Sequence, residues 1–224
     1  MNLRRSSLIA AVGALCTATV VSAQQLPTDL DPQSRARVPY IQRKDTDESA
    51  KRLFDIFVRN SNSPTDTLGG PLAFAAYNVP VAISLLDLHD GAVGKSSSLD
   101  AHVRELAILV ACRATNYTFE WNAHEPAAVR AGVDQKVIDA VRTNAALTGL
   151  PDADAAVIRF GREMLNDRKM SSATFAKAKQ LYGDKGAMDL VAVMSTYAVS
   201  GFYAIAVDEH VAPGQPTLPP VAAH

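Results

Sequence analysis

The chain has 224 residues, 48% hydrophobic and 20% charged, enough apolar side chains for a single domain to bury its own core. Its formal net charge of -1 excludes the broad basic field with which proteins gather nucleic acid or anionic lipid.

At the start, Arg4 and Arg5 precede an apolar stretch over 8–21 that closes on Val21-Ser22-Ala23. This predicts an export signal over 1–23, cut after Ala23, and a periplasmic or secreted mature protein without stable membrane insertion. Cutting there removes Cys16 and leaves Cys112 as the sole thiol, so no internal disulfide is expected. Residues 24–45, interrupted by Pro27, Pro32 and Pro39, read as an extended arm.

A helical domain is expected over 46–210. Ala50, Leu53, Phe54 and Phe57 recur at helical spacing and predict a helix over 46–60, with the acids of 45–48 at its start. A turn-rich stretch over 61–70 follows, then two helical pieces over 71–77 and 79–89, parted at Asn78 and Pro80. Residues 91–98 read as a loop, with Ser97-Ser98-Leu99-Asp100 as a capping box for a helix over 99–114. Further helices start near Thr118 (stopping at Gly132), at Asp134, after Pro151 and after Ser171. The stretch 187–207 is apolar nearly all round, and its small residues Ser195, Thr196, Ser200 and Gly201 favour a buried core or subunit-interface helix over a membrane span. The tail over 211–224, with four prolines, reads as irregular. No period-two pattern survives, so the fold class is all-α.

The informative stretch runs from Arg104 to Gly132. His102, Glu105, Leu109 and Cys112 share one helix face, and Tyr117, Glu120, Trp121, His124 and Ala128 share one on the next. Joined by a short turn near Thr115 and Asn116, these helices are expected to pack antiparallel and bring Glu105 toward Glu120 and His124. Two carboxyl groups and an imidazole in an apolar setting make an acid–base unit. By spacing alone, Glu120 and His124 also fit an ion pair on a solvated helix face.

The pattern R-E-L-x-I-L, then an aromatic, E-W-x-x-H and A-x-x-A-G, resembles the carboxymuconolactone decarboxylase and AhpD-like superfamily. In its peroxidase branch a glutamate precedes a C-x-x-C pair and a histidine. Here Glu105 and His124 stand at the glutamate and histidine positions, while Tyr117 and Glu120 stand where the cysteines would be. The loss of both thiols disfavours alkylhydroperoxidase or peroxiredoxin chemistry, and the apolar neighbours of Cys112 mark it as an inert buried cysteine. The resemblance therefore implies an AhpD-like helical bundle acting as a lyase or decarboxylase. Its substrate would be a small unsaturated organic acid or lactone, handled without metal or organic cofactor. Glu105, Glu120 and His124 are then the catalytic candidates, with Tyr117, Trp121 and Arg104 as substrate-binding candidates. It also implies a homo-oligomer, trimeric or hexameric. A non-catalytic helical binding or assembly module is the alternative, motivated by the export signal on a scaffold of cytoplasmic aromatic-acid breakdown.

Overall fold

The computed structural model describes residues 27–61 and 68–220. The expected signal, most of the turn-rich stretch over 61–70 and residues 221–224 lie outside them.

Among the described residues the chain forms helices α1 (Glu48–Ser61), α2 (Gly70–Ala75), α3 (Val79–Val93), α4 (Ala101–Ala114), α5 (Thr118–Arg130), α6 (Gln135–Arg142), α7 (Asp152–Gly161) and α8 (Ser172–Val207). No strand occurs among them, so the protein is all-α, as its patterning predicts. The Asp47 carboxylate caps α1 by accepting from the backbone N–H groups of Ser49 and Ala50. Pro80 sits in the first turn of α3, where its missing N–H costs nothing.

The capping box expected at Ser97 is not what starts α4. The cap is Asp100, whose carboxylate accepts from Val103 N–H at 2.9 Å. Ser98 is used elsewhere: its N–H and hydroxyl both donate to Asp189 on α8, at 2.7 and 2.6 Å. A carboxylate already charged competes better for the first-turn N–H groups than a hydroxyl does, which frees the serine to tie the loop to α8.

Helix α4 is the axis of the molecule and packs on α5, α6, α7 and α8. Every residue from Leu106 to Arg113 is buried, which is why this segment shows so weak an amphipathic signature. It anchors the larger of two apolar clusters, together with Ile158 and Phe160 of α7 and Leu190 and Met194 of α8. Full burial of each such side chain contributes about 1.5–3 kcal/mol. The smaller cluster gathers Leu53 and Phe54 of α1 with Leu68, Ala73 and Ala82.

The two helices expected after Ser171 and over 187–207 are both present within α8, which kinks between them at Gly183 with φ 70° and ψ 179°. That left-handed φ is open to glycine because it lacks a Cβ. By length and composition α8 would suit a membrane span. Its inner face, including Leu190, Val193 and Met194, is buried in the core.

Both flanking segments lie on the bundle. In the arm, Arg37 N–H donates to Val207 O, and Arg35 O accepts from His210 N–H, tying residues 35–37 to the end of α8. The tail is irregular, yet Leu218 is buried in the larger cluster, and Arg113 and Asn122 donate to the carbonyls of Pro219 and Pro216. Prolines have acceptors and no N–H, so the strap is held by donors from α4 and α5.

Candidate active site

Glu105 projects from α4, and Glu120 and His124 from α5, one turn apart. The turn between the helices makes their meeting possible. Asn116 takes a left-handed φ of 52°, which asparagine tolerates, and Tyr117 N–H closes on Cys112 O at 2.7 Å. The chain reverses and α5 runs back along α4, as the spacing predicts.

His124 lies between the two acids. Its Nδ1 is 2.9 Å from Glu105 Oε2, and its Nε2 is 3.3 Å from Glu120 Oε2. All three side chains are largely buried, at 14%, 15% and 20% exposed for Glu105, Glu120 and His124. That excludes the solvated surface pair, the other reading of the spacing. Burial alone would discourage the imidazolium, but its hydrogen bonds to Glu105 and Glu120 and their charges outweigh it, and the pKa of His124 rises to about 9. At neutral pH both ring nitrogens therefore carry protons.

Two further side chains complete the cluster, and sequence reasoning missed both as site residues. Tyr197 of α8 places its hydroxyl 3.1 Å from His124 Nε2, with the rings edge to face at 5.0 Å. His89 of α3 places Nε2 3.5 Å from the same hydroxyl. Thr196, Ser200 and Tyr203, at four- and three-residue spacing on α8, line the same space as Tyr197. That polar stripe in an otherwise apolar helix was the available signal for Tyr197; His89 carried none.

These groups border a cavity of about 680 Å³ at the seam between the two apolar clusters. Leu85, Leu86 and Phe119 supply apolar wall, while His124, Glu120 and His89 supply polar atoms. A concave, mostly apolar space with a few converging polar groups is the usual form of a small-molecule site.

The expected substrate-binding residues fall elsewhere. Trp121 is buried, donates its indole N–H to Glu125 at 2.9 Å and lies beneath the Arg142 guanidinium. It packs on the core side of α5 and does not line the cavity. Tyr117 is also buried outside the cavity wall, facing Glu209. Arg104 is half-buried on α4, its side chain makes no hydrogen bond or ion pair among the described residues, and it lies outside the wall, although its charge reaches Tyr197. The second face of a two-sided helix takes core residues, and spacing does not say which face is which. His102 pairs with Asp154 of α7 at 2.8 Å, away from the cluster.

Cys112 is wholly buried, and burial, reinforced by the charge of Glu120, pushes its thiol well above the usual range. A thiol so held is a poor nucleophile. Among the described residues no group of three or more His, Cys, Asp or Glu is arranged to hold a metal.

Burial also pushes the Glu209 carboxyl up to about 7; the facing Tyr117 lowers it and the Glu120 charge raises it. Neither Glu209 Oε2 nor the Tyr117 hydroxyl closes a hydrogen bond of normal geometry. The native state thus holds this proton more tightly than the unfolded chain, so stability falls as pH rises from the unfolded value of 4.5 through about 7. His124, raised from 6.5 to about 9, adds a second fall over that higher window. Urea midpoints are expected to drop between about pH 4.5 and 7 and again between about pH 6.5 and 9. Glu209→Gln should flatten the first drop and leave the second; an unaltered first drop would show that Glu209 is not its source.

Residues 81–163 match the model of the Carboxymuconolactone decarboxylase family. The fold matches the crystal structure of an alkylhydroperoxidase AhpD core, an uncharacterized peroxidase-related protein from Ralstonia eutropha JMP134, with a TM-score of 0.62 and 17% identity over 80% of this chain and 93% of that one. It also matches the debrominase Bmp8, in a cysteine-to-alanine variant complexed with 2,3,4-tribromopyrrole, with a TM-score of 0.59 and 13% identity over 79% of this chain and 91% of that one. Among curated proteins none matches the chain significantly.

Proposed function

We propose that this chain, carboxymuconolactone decarboxylase family over residues 81–163 and AhpD-like in fold, is a cofactor-free lyase that decarboxylates a small unsaturated acid or lactone by proton transfer. The observation that carries the reading is an imidazole held between two carboxyl groups in the wall of a mostly apolar cavity.

Loss of carbon dioxide needs an electron sink in the substrate, such as a conjugated lactone carbonyl, and the resulting dienolate needs a proton at carbon. His124 is loaded for that delivery at neutral pH. Glu105 fixes the ring through Nδ1 and leaves Nε2–H on the side of Glu120 and Tyr197, both of which line the cavity. Glu120 stabilises the imidazolium until the proton leaves, and the apolar wall keeps bulk water from competing. A neighbouring fold that holds a halogenated pyrrole supports a scaffold suited to small unsaturated rings.

Export over 1–23 and assembly into a homo-oligomer belong to the same proposal. The exposed Met188, Phe202 and Ile205 of α8 support assembly through that helix.

The test is conversion of a panel of unsaturated lactone acids by the purified protein, followed as carbon dioxide release. Glu120→Gln keeps the shape and removes a charge from His124, and is expected to lower turnover by about tenfold to 100-fold. No conversion by the wild-type protein, or full turnover by the variant, would reject the reading. Binding of the panel without conversion would favour a binding module.

A further inference from the structure

The cluster at His124 does not end there. Donor and acceptor atoms continue in a row: Glu105 Oε2 to His124 Nδ1 at 2.9 Å, His124 Nε2 to the Tyr197 hydroxyl at 3.1 Å, that hydroxyl to His89 Nε2 at 3.5 Å, and His89 Nδ1 to Asp90 Oδ1 at 3.2 Å. The row crosses α4, α5, α8 and α3. It also climbs from interior to solvent: Tyr197 is 4% exposed, whereas the side chains of His89 and Asp90 are 42% and 63% exposed.

We propose that Tyr197 and His89 form a proton relay that reloads His124 from solvent after each turnover. The inference rests on the acid–base reading above. Each decarboxylation consumes one proton, because the carboxylate leaves as neutral carbon dioxide and the carbon it leaves gains hydrogen. His124 supplies that proton from Nε2 and is left with a lone pair there. Tyr197 passes its hydroxyl proton to Nε2 and takes one from His89 Nε2–H. For this His89 takes a proton from water on its exposed ring, so that Nδ1–H stays on the Asp90 carboxylate while Nε2–H faces Tyr197, and giving up the latter returns it to its starting tautomer. One proton enters, one is consumed, and no electrons change hands.

Three features suit these residues to the task. Burial, with the charge of Glu120, holds the Tyr197 hydroxyl well above its usual range, so it stays protonated and can donate and accept at once. A substrate filling the space against Leu85, Leu86 and Phe119 displaces water from the Nε2 side of His124, leaving protein groups as the route. The longest link, Tyr197 to His89, is of the kind that tightens once a site is filled.

Tyr197 touches the reacting imidazole, and His89 acts through it, so the test needs readouts that a merely structural role would not move. In full-length protein with nitrogen-15 histidine, Tyr197→Phe is expected to shift the ring resonances of both His124 and His89 while sparing His102, which sits on Asp154. A shift at His124 alone overturns the relay. With a lactone acid that the wild-type protein converts, His89→Ala is expected to lower kcat about tenfold with KM unchanged, and added imidazole to restore it. Tyr197→Phe should lower kcat without rescue. Unaltered kcat in His89→Ala overturns the relay and leaves the lyase reading standing. A wild-type protein inactive on every lactone overturns the lyase reading, and the resonance shifts still decide the connection from Tyr197 to His89.

Discussion

Replacing His124 by glutamine is expected to cut turnover by about 100-fold to 10⁴-fold. Glutamine is of similar reach and hydrogen-bonds to a carboxylate, so Glu105 keeps a partner, but an amide holds no transferable proton near neutral pH. The loss therefore reports chemistry more than architecture. It should appear in kcat, since the apolar wall formed by Leu85, Leu86 and Phe119 is untouched. Removing the imidazolium also leaves Glu105 and Glu120 facing each other in a partly buried space, so the thermal midpoint should fall modestly as well. The variant is to be assayed where circular dichroism shows it folded. A folded His124→Gln protein with kcat within a few-fold of wild type would remove His124 from the reaction.

The two positions at which this chain departs from the C-x-x-C pattern have separate fates. Glu120 lies in the cavity wall and bonds to His124, whereas Tyr117 turns inward and faces Glu209. At these two positions this chain therefore carries one carboxyl group in the cavity wall and one core side chain. Cys112 lies wholly buried and is held protonated. Nothing in this arrangement makes a thiolate.

How much of the site could be read in advance depended on sequence distance. Glu105, Glu120 and His124 lie within twenty residues, and helical spacing plus a short turn places them together. Asn116, with its left-handed φ, makes that turn tight enough. Tyr197 and His89 lie 73 and 35 positions from His124, and no local period connects α5 with α8 or α3. Trp121 shows the opposite failure: it shares the informative stretch, yet the indole needed a partner for its N–H and found Glu125 on the core side. The same limit applies to the fold. Helix class and most helix positions followed from apolar periodicity and stop signals, but the kink of α8 at Gly183 depended on one backbone conformation. Likewise Asp100 caps α4 in place of Ser97, and the neighbouring Ser98 is tied to Asp189, 91 residues on, a contact no local pattern announces.

Gly201→Ala is expected to destabilise the protein by about 1–2 kcal/mol, the reverse of what an exposed helical glycine would show. Alanine in a helix interior gains about 1 kcal/mol over glycine. Here, however, an added Cβ would lie 2.5 Å from Thr115 Cβ and 3.0 Å from its Cγ2, and closer still to its hydroxyl oxygen. Thr115 cannot swing aside: it is 7% exposed, and its hydroxyl donates to Ala111 O at 3.1 Å. The helices must separate instead, and overpacking of a close-packed core costs about 1–3 kcal/mol, with backbone movement adding to it. The displacement would also reach the site. Thr115 belongs to the turn that brings α5 back along α4, and Tyr197 lies one helical turn before Gly201 on α8. A shift of a few tenths of an ångström there weakens the 3.1 Å contact between Tyr197 and His124. Gly201→Ala should therefore lower the denaturation midpoint and kcat together, and Thr115→Ser, which removes the Cγ2 methyl, should recover part of the stability in the double variant. A Gly201→Ala protein more stable than wild type would show that α8 does not approach α4 this closely.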